Sequence, residues 1–279
     1  MIDLSPKDFE KDWYKAASAV ERALELLTLV DEDGFGVFDP KWLPGLGMLA
    51  PLAALRAVVE ERKLGNNARS DLRRWYWCSV FLERYSSGVE SKSRKDYSEM
   101  LAYWTEGEQE PAVFTEAQAR ISAEGFTVAD SASHASAVYC GIFCMLALRN
   151  ARDWRLKETI RLQELDDHHI FPRRYLKEHG LHRRVLRNSI LNRTLISDET
   201  NRKIRDSAPA EYMRDKTIFP SGVSQQLMEP HFLTKAAVGF MSKATEKLSE
   251  SEVSDVYGKF RKEREASIVK EIRRLCFAP

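Results

Sequence analysis

A helical spacing of apolar residues governs most of this 279-residue chain and breaks after Trp154. Trp13, Ala17, Val20, Leu24 and Leu27 recur at steps of four and three, which lines them up on one face of a helix. FGVFDPKWLPGLGM, residues 35 to 48, holds too many glycines and prolines for anything but a loop. Helices are predicted again over Leu49 to Arg62 and Leu72 to Tyr85, from about Thr115, and over Ser136 to Asn150. The aromatic-rich LRRWYWCSVFLERY segment reads as a buried helix, with a platform for stacked bases as the functional alternative. After Trp154 the pattern becomes strand-like at ELDDHHIF and RTLIS, and Ser197 is a good N-cap for a helix beginning DETNRKIR. Helical spacing returns through Leu233, Ala237, Phe240, Ala244 and Leu248, then Val256, Phe260, Ile268, Ile272 and Leu275, in helices expected to pack against the first half. The expected architecture is a mostly α chain with a small strand, loop, strand and helix unit embedded in it. A helical domain over 1–150 packs on an α+β domain over 151–279.

Composition narrows the class of protein. The chain is 43% hydrophobic and 30% charged, and 43 Lys and Arg against 42 Asp and Glu leave a formal charge of +1, which describes neither a disordered nor a globally polybasic chain. No apolar run approaches the ~20 residues of a membrane span, and MIDLSPKDFEKDW lacks the basic and apolar regions of a secretory leader. A cytoplasmic protein without a membrane partner is therefore expected. Cys78, Cys140, Cys144 and Cys276 are scattered among apolar neighbours and read as buried thiols; Cys140 and Cys144 share a helix face, but no further ligand stands at zinc-like spacing. Charge is uneven. Between Arg173 and Arg205 ten basic residues face three acidic ones, a net of +7 over 33 residues, which is the footprint of a phosphate-backbone partner or of a solvated surface.

One stretch carries chemistry: Asp166-Asp167-His168-His169-Ile170-Phe171-Pro172, then Asn188 and Asn192, then Asn201. Two histidines closing a strand after two carboxylates let one side chain ligate a divalent cation while another takes a proton. Asparagine supplies a neutral amide oxygen suited to a hard metal. With Ser197 as cap, Asn201 lies one turn into the helix and can point back at the strand end, so three segments converge on one metal. His179 and His182 are read as part of a solvated loop rather than as a second metal pair.

The order of these elements and residues resembles the His-Asn-His (HNH) endonucleases with their ββα-metal motif. In that family an acidic residue or histidine precedes the general-base histidine, an apolar pair and proline follow, and a mid-motif asparagine is succeeded nine positions later by a metal-ligating Asn or His. His168, His169, Ile170-Phe171-Pro172, Asn192 and Asn201 fill those places. The resemblance implies His168 and Asn201 as ligands of one Mg²⁺ or Mn²⁺, His169 as general base and Asn192 as its positioner. Many relatives carry Asp where this chain has His168, which leaves the first ligand between His168 and Asp167. Asn188 competes with Asn192 for the middle position.

LRRWYWCSVFLERYSS, RNARDW, DHHIFPRRYL, NSILNRTLIS and TNRKIRDSAPAEY extend the likeness, over most of residues 70 to 215, to the C-terminal region of GmrSD- and SspE-type prokaryotic anti-phage nucleases. Those proteins usually add a nucleotide-hydrolysing domain with a D-G-Q-Q-R phrase, absent here together with G-x-x-x-x-G-K-[ST], so the expectation is a nuclease half that works with an NTPase domain or subunit. The implied activity is metal-dependent hydrolysis, nicking included, of phage or modified DNA. Arg173, Arg174, Arg183, Arg184 and Arg187 would hold phosphates without reading bases. The rival readings are a catalytically inactive DNA-binding module and a regulatory helical scaffold of a defence complex.

Overall fold

A computed structural model describes residues 8–107, 109–155 and 160–277. It is mostly helical, as the spacing predicts, and its strands form one two-stranded ribbon. Among the described residues no helix is long and apolar enough to cross a membrane. Contacts divide the chain into two units, Met1–Phe35 with Leu43–Phe126 and Ile272–Pro279, and Gly36–Trp42 with Thr127–Glu271. This division differs from the expected break at residue 150.

The first unit contains α1 (Phe9–Thr28), α2 (Leu49–Glu61), α3 (Asn66–Phe81), α4 (Val89–Glu106) and α5 (Ala112–Ser122). Helix α1 packs on α2, but its buried residues are Ala23 and Leu27, while Trp13 and Leu24 are 62% and 44% exposed. The stripe expected from the spacing is thus corrected. A small alanine permits the close approach, and Leu24 stands about 100° round the helix from it. Trp75 through Phe81 are all buried, and Phe35 stacks on Tyr76 with ring centroids 3.7 Å apart, so the aromatic run is core and offers no base-stacking platform. At its heart the fully buried Asp96 carboxylate accepts hydrogen bonds from Trp75 Nε1 (3.0 Å), Tyr85 Oη (2.6 Å) and Arg84 Nη2 (2.7 Å). Arg84 Nη1 reaches Glu116 at 2.6 Å.

In the second unit follow α6 (Ala137–Leu148), β1 (Leu165–His169), α7 (Arg173–Glu178), α8 (Arg184–Asn188), β2 (Arg193–Ser197) and α9 (Asp198–Ile204), then α10 (Pro209–Tyr212), α11 (Gln225–Met228), α12 (Lys235–Lys243) and α13 (Glu250–Cys276). Helix α6 is capped by Ser136 and buried from Val138 to Ala147, so it belongs against β2 rather than with the N-terminal helices. Gly36 is required beside it: φ is +73°, and a Cβ there would come within 2.6 Å of the Cys144 carbonyl oxygen. Cys140 and Cys144 are free buried thiols, and burial pushes Cys140 up to about 11.

The core of this unit joins Trp154, Ile170, Phe171, Tyr175 and Ile196 to Tyr212, Phe219, Met241, Val253, Tyr257 and Phe260. Helix α12 and α13 as far as Glu271 therefore close over the strand unit, whereas the expectation that these helices pack on the first half holds for the end of α13 from Ile272. Periodicity identifies a buried face but not its partner. Arg264, fully buried on α13, donates to the carbonyls of Ile190 (3.2 Å), Leu191 (2.9 Å) and His231 (3.3 Å), and burial lowers it to about 9.

His231 locks the ribbon from behind. Its Nε2 lies 2.9 Å from the Arg152 carbonyl, which can only accept, so Nε2 carries the hydrogen and Nδ1 accepts from Thr194 Oγ1 at 2.6 Å. Burial depresses the imidazole to about 3. The unfolded chain, with an ordinary value near 6.5, therefore takes up the proton first as pH falls, so stability is complete above about pH 6.5 and is lost towards pH 3. At pH 5 the loss from this residue is about 2 kcal/mol. The pH 7.5 to pH 5 difference in unfolding free energy should shrink by that amount in His231→Gln, whose amide can keep both bonds; an equal difference in both proteins would contradict it.

Candidate active site

The antiparallel ladder pairs Leu165 with Ser197, Asp166 with Ile196, Asp167 with Leu195, His168 with Thr194 and His169 with Arg193. Because successive side chains of a strand point to opposite faces, Asp166 and His168 share one face and Asp167 and His169 the other. The two adjacent histidines are thus separated by the pleat.

On the first face His168 meets α9. Its Nε2 is buried, lies 3.4 Å from Asp198 Oδ1, and makes no hydrogen bond. Asp198 is 80% exposed in its side chain. Burial lowers the His168 pKa, and Asp198 opposes the shift. Asn201 lies three residues beyond Asp198 and on the same side of the helix, and α9 packs on β1. Asp166, beside His168, is paired with Lys41 at 3.1 Å. Burial pushes the Asp166 carboxyl up, but the Asp167 N–H and Lys41 together hold it below the usual range.

The corner from β2 into α9 is fixed by two devices. Ser197 Oγ accepts from the Thr200 N–H at 3.2 Å, the cap expected from the sequence. The buried Asp153 carboxylate accepts from the Ser197 N–H and from Thr200 Oγ1, both at 2.7 Å. Asp153 stands in the RNARDW phrase next to Trp154, and its anchoring role has no signal in spacing.

On the other face His169 stands beside Arg193. The Asn188 amide oxygen lies 3.2 Å from His169 Nε2, and since an amide oxygen only accepts, Nε2 carries the hydrogen and Nδ1 keeps its lone pair. Burial, with Arg193 adding to it, depresses His169 to about 3. Asp167 is engaged elsewhere: Tyr139 Oη donates to its carboxylate and Arg193 Nη1 lies 3.1 Å from it. Of the two residues left open as first ligand, only His168 faces α9.

Asn192, fully buried, holds backbone rather than imidazole. Its Oδ1 accepts from the Phe171 N–H at 2.8 Å, and its Nδ2 donates to the carbonyls of Phe171 (3.0 Å) and Arg187 (2.9 Å). It therefore fixes the turn just past His169, while Asn188 touches the ring. Tyr212 Oη donates to the Ile170 carbonyl at 2.7 Å and completes the restraint.

The five arginines of the basic loop are not equivalent. Arg173, Arg183 and Arg184 are exposed and form no ion pair among the described residues. Arg174 is exposed but bound to Glu178 (2.7 Å) and Asp206 (3.8 Å), and Arg187 is half-buried and donates to the His182 carbonyl at 3.2 Å. His179 Nδ1 lies 2.8 Å from the Tyr175 carbonyl, which can only accept, so Nδ1 carries the hydrogen.

Among the described residues no group of three or more His, Cys, Asp or Glu side chains is placed so that it could hold a metal ion. Between β1 and α9 the buried His168 Nε2 stands beside the exposed Asp198 carboxylate, and Asn201 lies on the same side of α9 as Asp198. No family model matches the chain, and no solved structure matches it. An uncharacterized protein of Methanocaldococcus jannaschii is 28% identical over 279 residues, which is 95% of this chain and 47% of that protein. The chain thus spans about half the length of this relative.

Proposed function

We propose that this chain is a divalent-cation-dependent endonuclease that hydrolyses DNA phosphodiester bonds with His169 as general base, an embedded ββα-metal unit of the His-Asn-His kind. The observation that carries the reading is His168 Nε2, buried and without a hydrogen-bond partner, facing the Asp198 carboxylate and the helix that presents Asn201. An orphaned buried donor or acceptor is costly, and a cation would satisfy it. One imidazole, one carboxylate and one amide suit Mg²⁺ or Mn²⁺ in an open site, so His168, Asp198 and Asn201 are the residues that would hold the ion. When bound, such an ion polarises a phosphoryl oxygen and stabilises the leaving oxygen.

His169 Nδ1 would take the proton of the attacking water. Asn188 keeps Nε2 as the protonated nitrogen, and Asn192 holds the backbone that sets the ring's position. The negative charge of a docked phosphate raises the basicity of a ring that burial and Arg193 have lowered. Arg173, Arg183 and Arg184 would neutralise flanking phosphates, which makes binding sequence-tolerant and steeply salt-dependent. A role in anti-phage restriction rests on the sequence resemblance described above.

Supercoiled plasmid incubated with and without Mg²⁺ or Mn²⁺ tests the reading. Scission only with the cation is the expected result; binding without scission under any cation would favour a non-catalytic DNA-binding module. Asn201→Ala should weaken Mn²⁺ binding and suppress scission while the melting temperature stays close to wild type, because the helix cap belongs to Ser197. A lowered melting temperature with unchanged metal dependence would make Asn201 structural.

A further inference from the structure

We propose that Arg193 binds the scissile phosphate through its Nε and Nη2 edge, beside the general base; the inference rests on the reading of His169 given above. Arg193 is the ladder partner of His169, so the two side chains leave the ribbon on the same face. Its side chain is 15% exposed, and Nη1 is tied to Asp167, to the carboxylate at 3.1 Å and to the carbonyl at 3.4 Å. Tyr139 Oη donates to the same carboxylate. Among the described residues Nε is buried without a partner and Nη2 donates to no protein acceptor. A guanidinium presents its donors in a planar fork, and Nε with Nη2 forms the side-on fork that matches two phosphate oxygens.

Nothing among the described residues uses that fork, although its other end is anchored by the Asp167 carboxylate and carbonyl. This is the arrangement expected of a cation kept in place for an anion that arrives from outside. Asp167 then acts as the tether of Arg193, a positioning residue, which explains why a carboxylate next to His168 in sequence is turned away from it. An anion seated on the fork would lie next to His169, where a water deprotonated at Nδ1 must attack.

Single-turnover scission at saturating DNA, duplex affinity in EDTA and thermal melting are measured for Arg193→Met and Arg193→Lys. Arg193→Met should slow scission by about 10²-fold or more, as expected for loss of a group that stabilises developing charge. Duplex affinity should change little, since one phosphate contact among several is lost. Arg193→Lys restores charge without the fork and should recover only part of the rate, about tenfold below wild type. Asp167→Asn should fall between wild type and Arg193→Met.

Arg193→Met or folded Arg193→Lys cutting within threefold of wild type would overturn the inference while leaving the nuclease reading intact. If Arg193→Met does not fold, Arg193→Lys carries the test. A folded wild type that cuts nothing with either cation would overturn both.

Discussion

His169→Ala is expected to slow strand scission by about 10²- to 10⁴-fold while duplex affinity in EDTA stays near wild type. The base acts at one proton, whereas affinity is distributed over exposed arginines, of which Arg173, Arg183 and Arg184 have no acidic partner among the described residues. His168→Ala should behave differently. It removes a nitrogen proposed to face the cation, so its deficit should shrink as Mn²⁺ is raised, while that of His169→Ala should not. Raising Mn²⁺ until both variants recover equally would show that the pleat does not separate the two roles. Wild-type scission by His169→Ala would remove it as the base.

Local chemistry made part of this site readable. RTLIS is rich in β-branched residues, Ser197 is followed by acids, and strand, cap and helix stand where those preferences predict, at Arg193–Ser197 and Asp198–Ile204. The histidine pair does close a strand. What spacing along the chain concealed is direction. Asp167 and His168 are neighbours in sequence and diverge in space, while Asp198, thirty positions away from His168, comes within 3.4 Å of it. Asn188 and Asn192, rivals for the middle position in sequence, divide its positioning between them, over ring and backbone.

Long-range partners are hidden for a related reason. The helical rhythm of α13 predicts that Phe260 is buried, but not that it packs against Phe171 at the end of the strand unit, with centroids 4.8 Å apart. Arg264 and Asp153 are charged residues, yet each is buried because several backbone or hydroxyl groups converge on it. The displaced face of α1 is the same lesson in reverse. Trp13 is more apolar than Ala23, but only the smaller residue lies where α2 can approach.

Asp96→Ala is expected to destabilise the first unit by about 3–5 kcal/mol. The substitution leaves the Arg84 guanidinium, 5% exposed, with the partly exposed Glu116 as its one acidic partner among the described residues, and it orphans the Trp75 N–H and the Tyr85 hydroxyl. Unpaired buried donors each cost about 1–3 kcal/mol, although the losses in one network do not add. Asp96→Asn keeps an acceptor and should cost less. The double variant Arg84→Met with Asp96→Ala should recover much of the loss of Asp96→Ala alone, because replacing both charges removes the need for either. Urea unfolding followed by tryptophan fluorescence measures these differences. The same proteins separate the two readings of the aromatic helix: with Trp75 to Phe81 buried, each folded molecule of Asp96→Ala should bind DNA as wild type does. A loss below 1 kcal/mol, or a loss of DNA affinity without a loss of stability, would mean that this network serves the ligand rather than the fold.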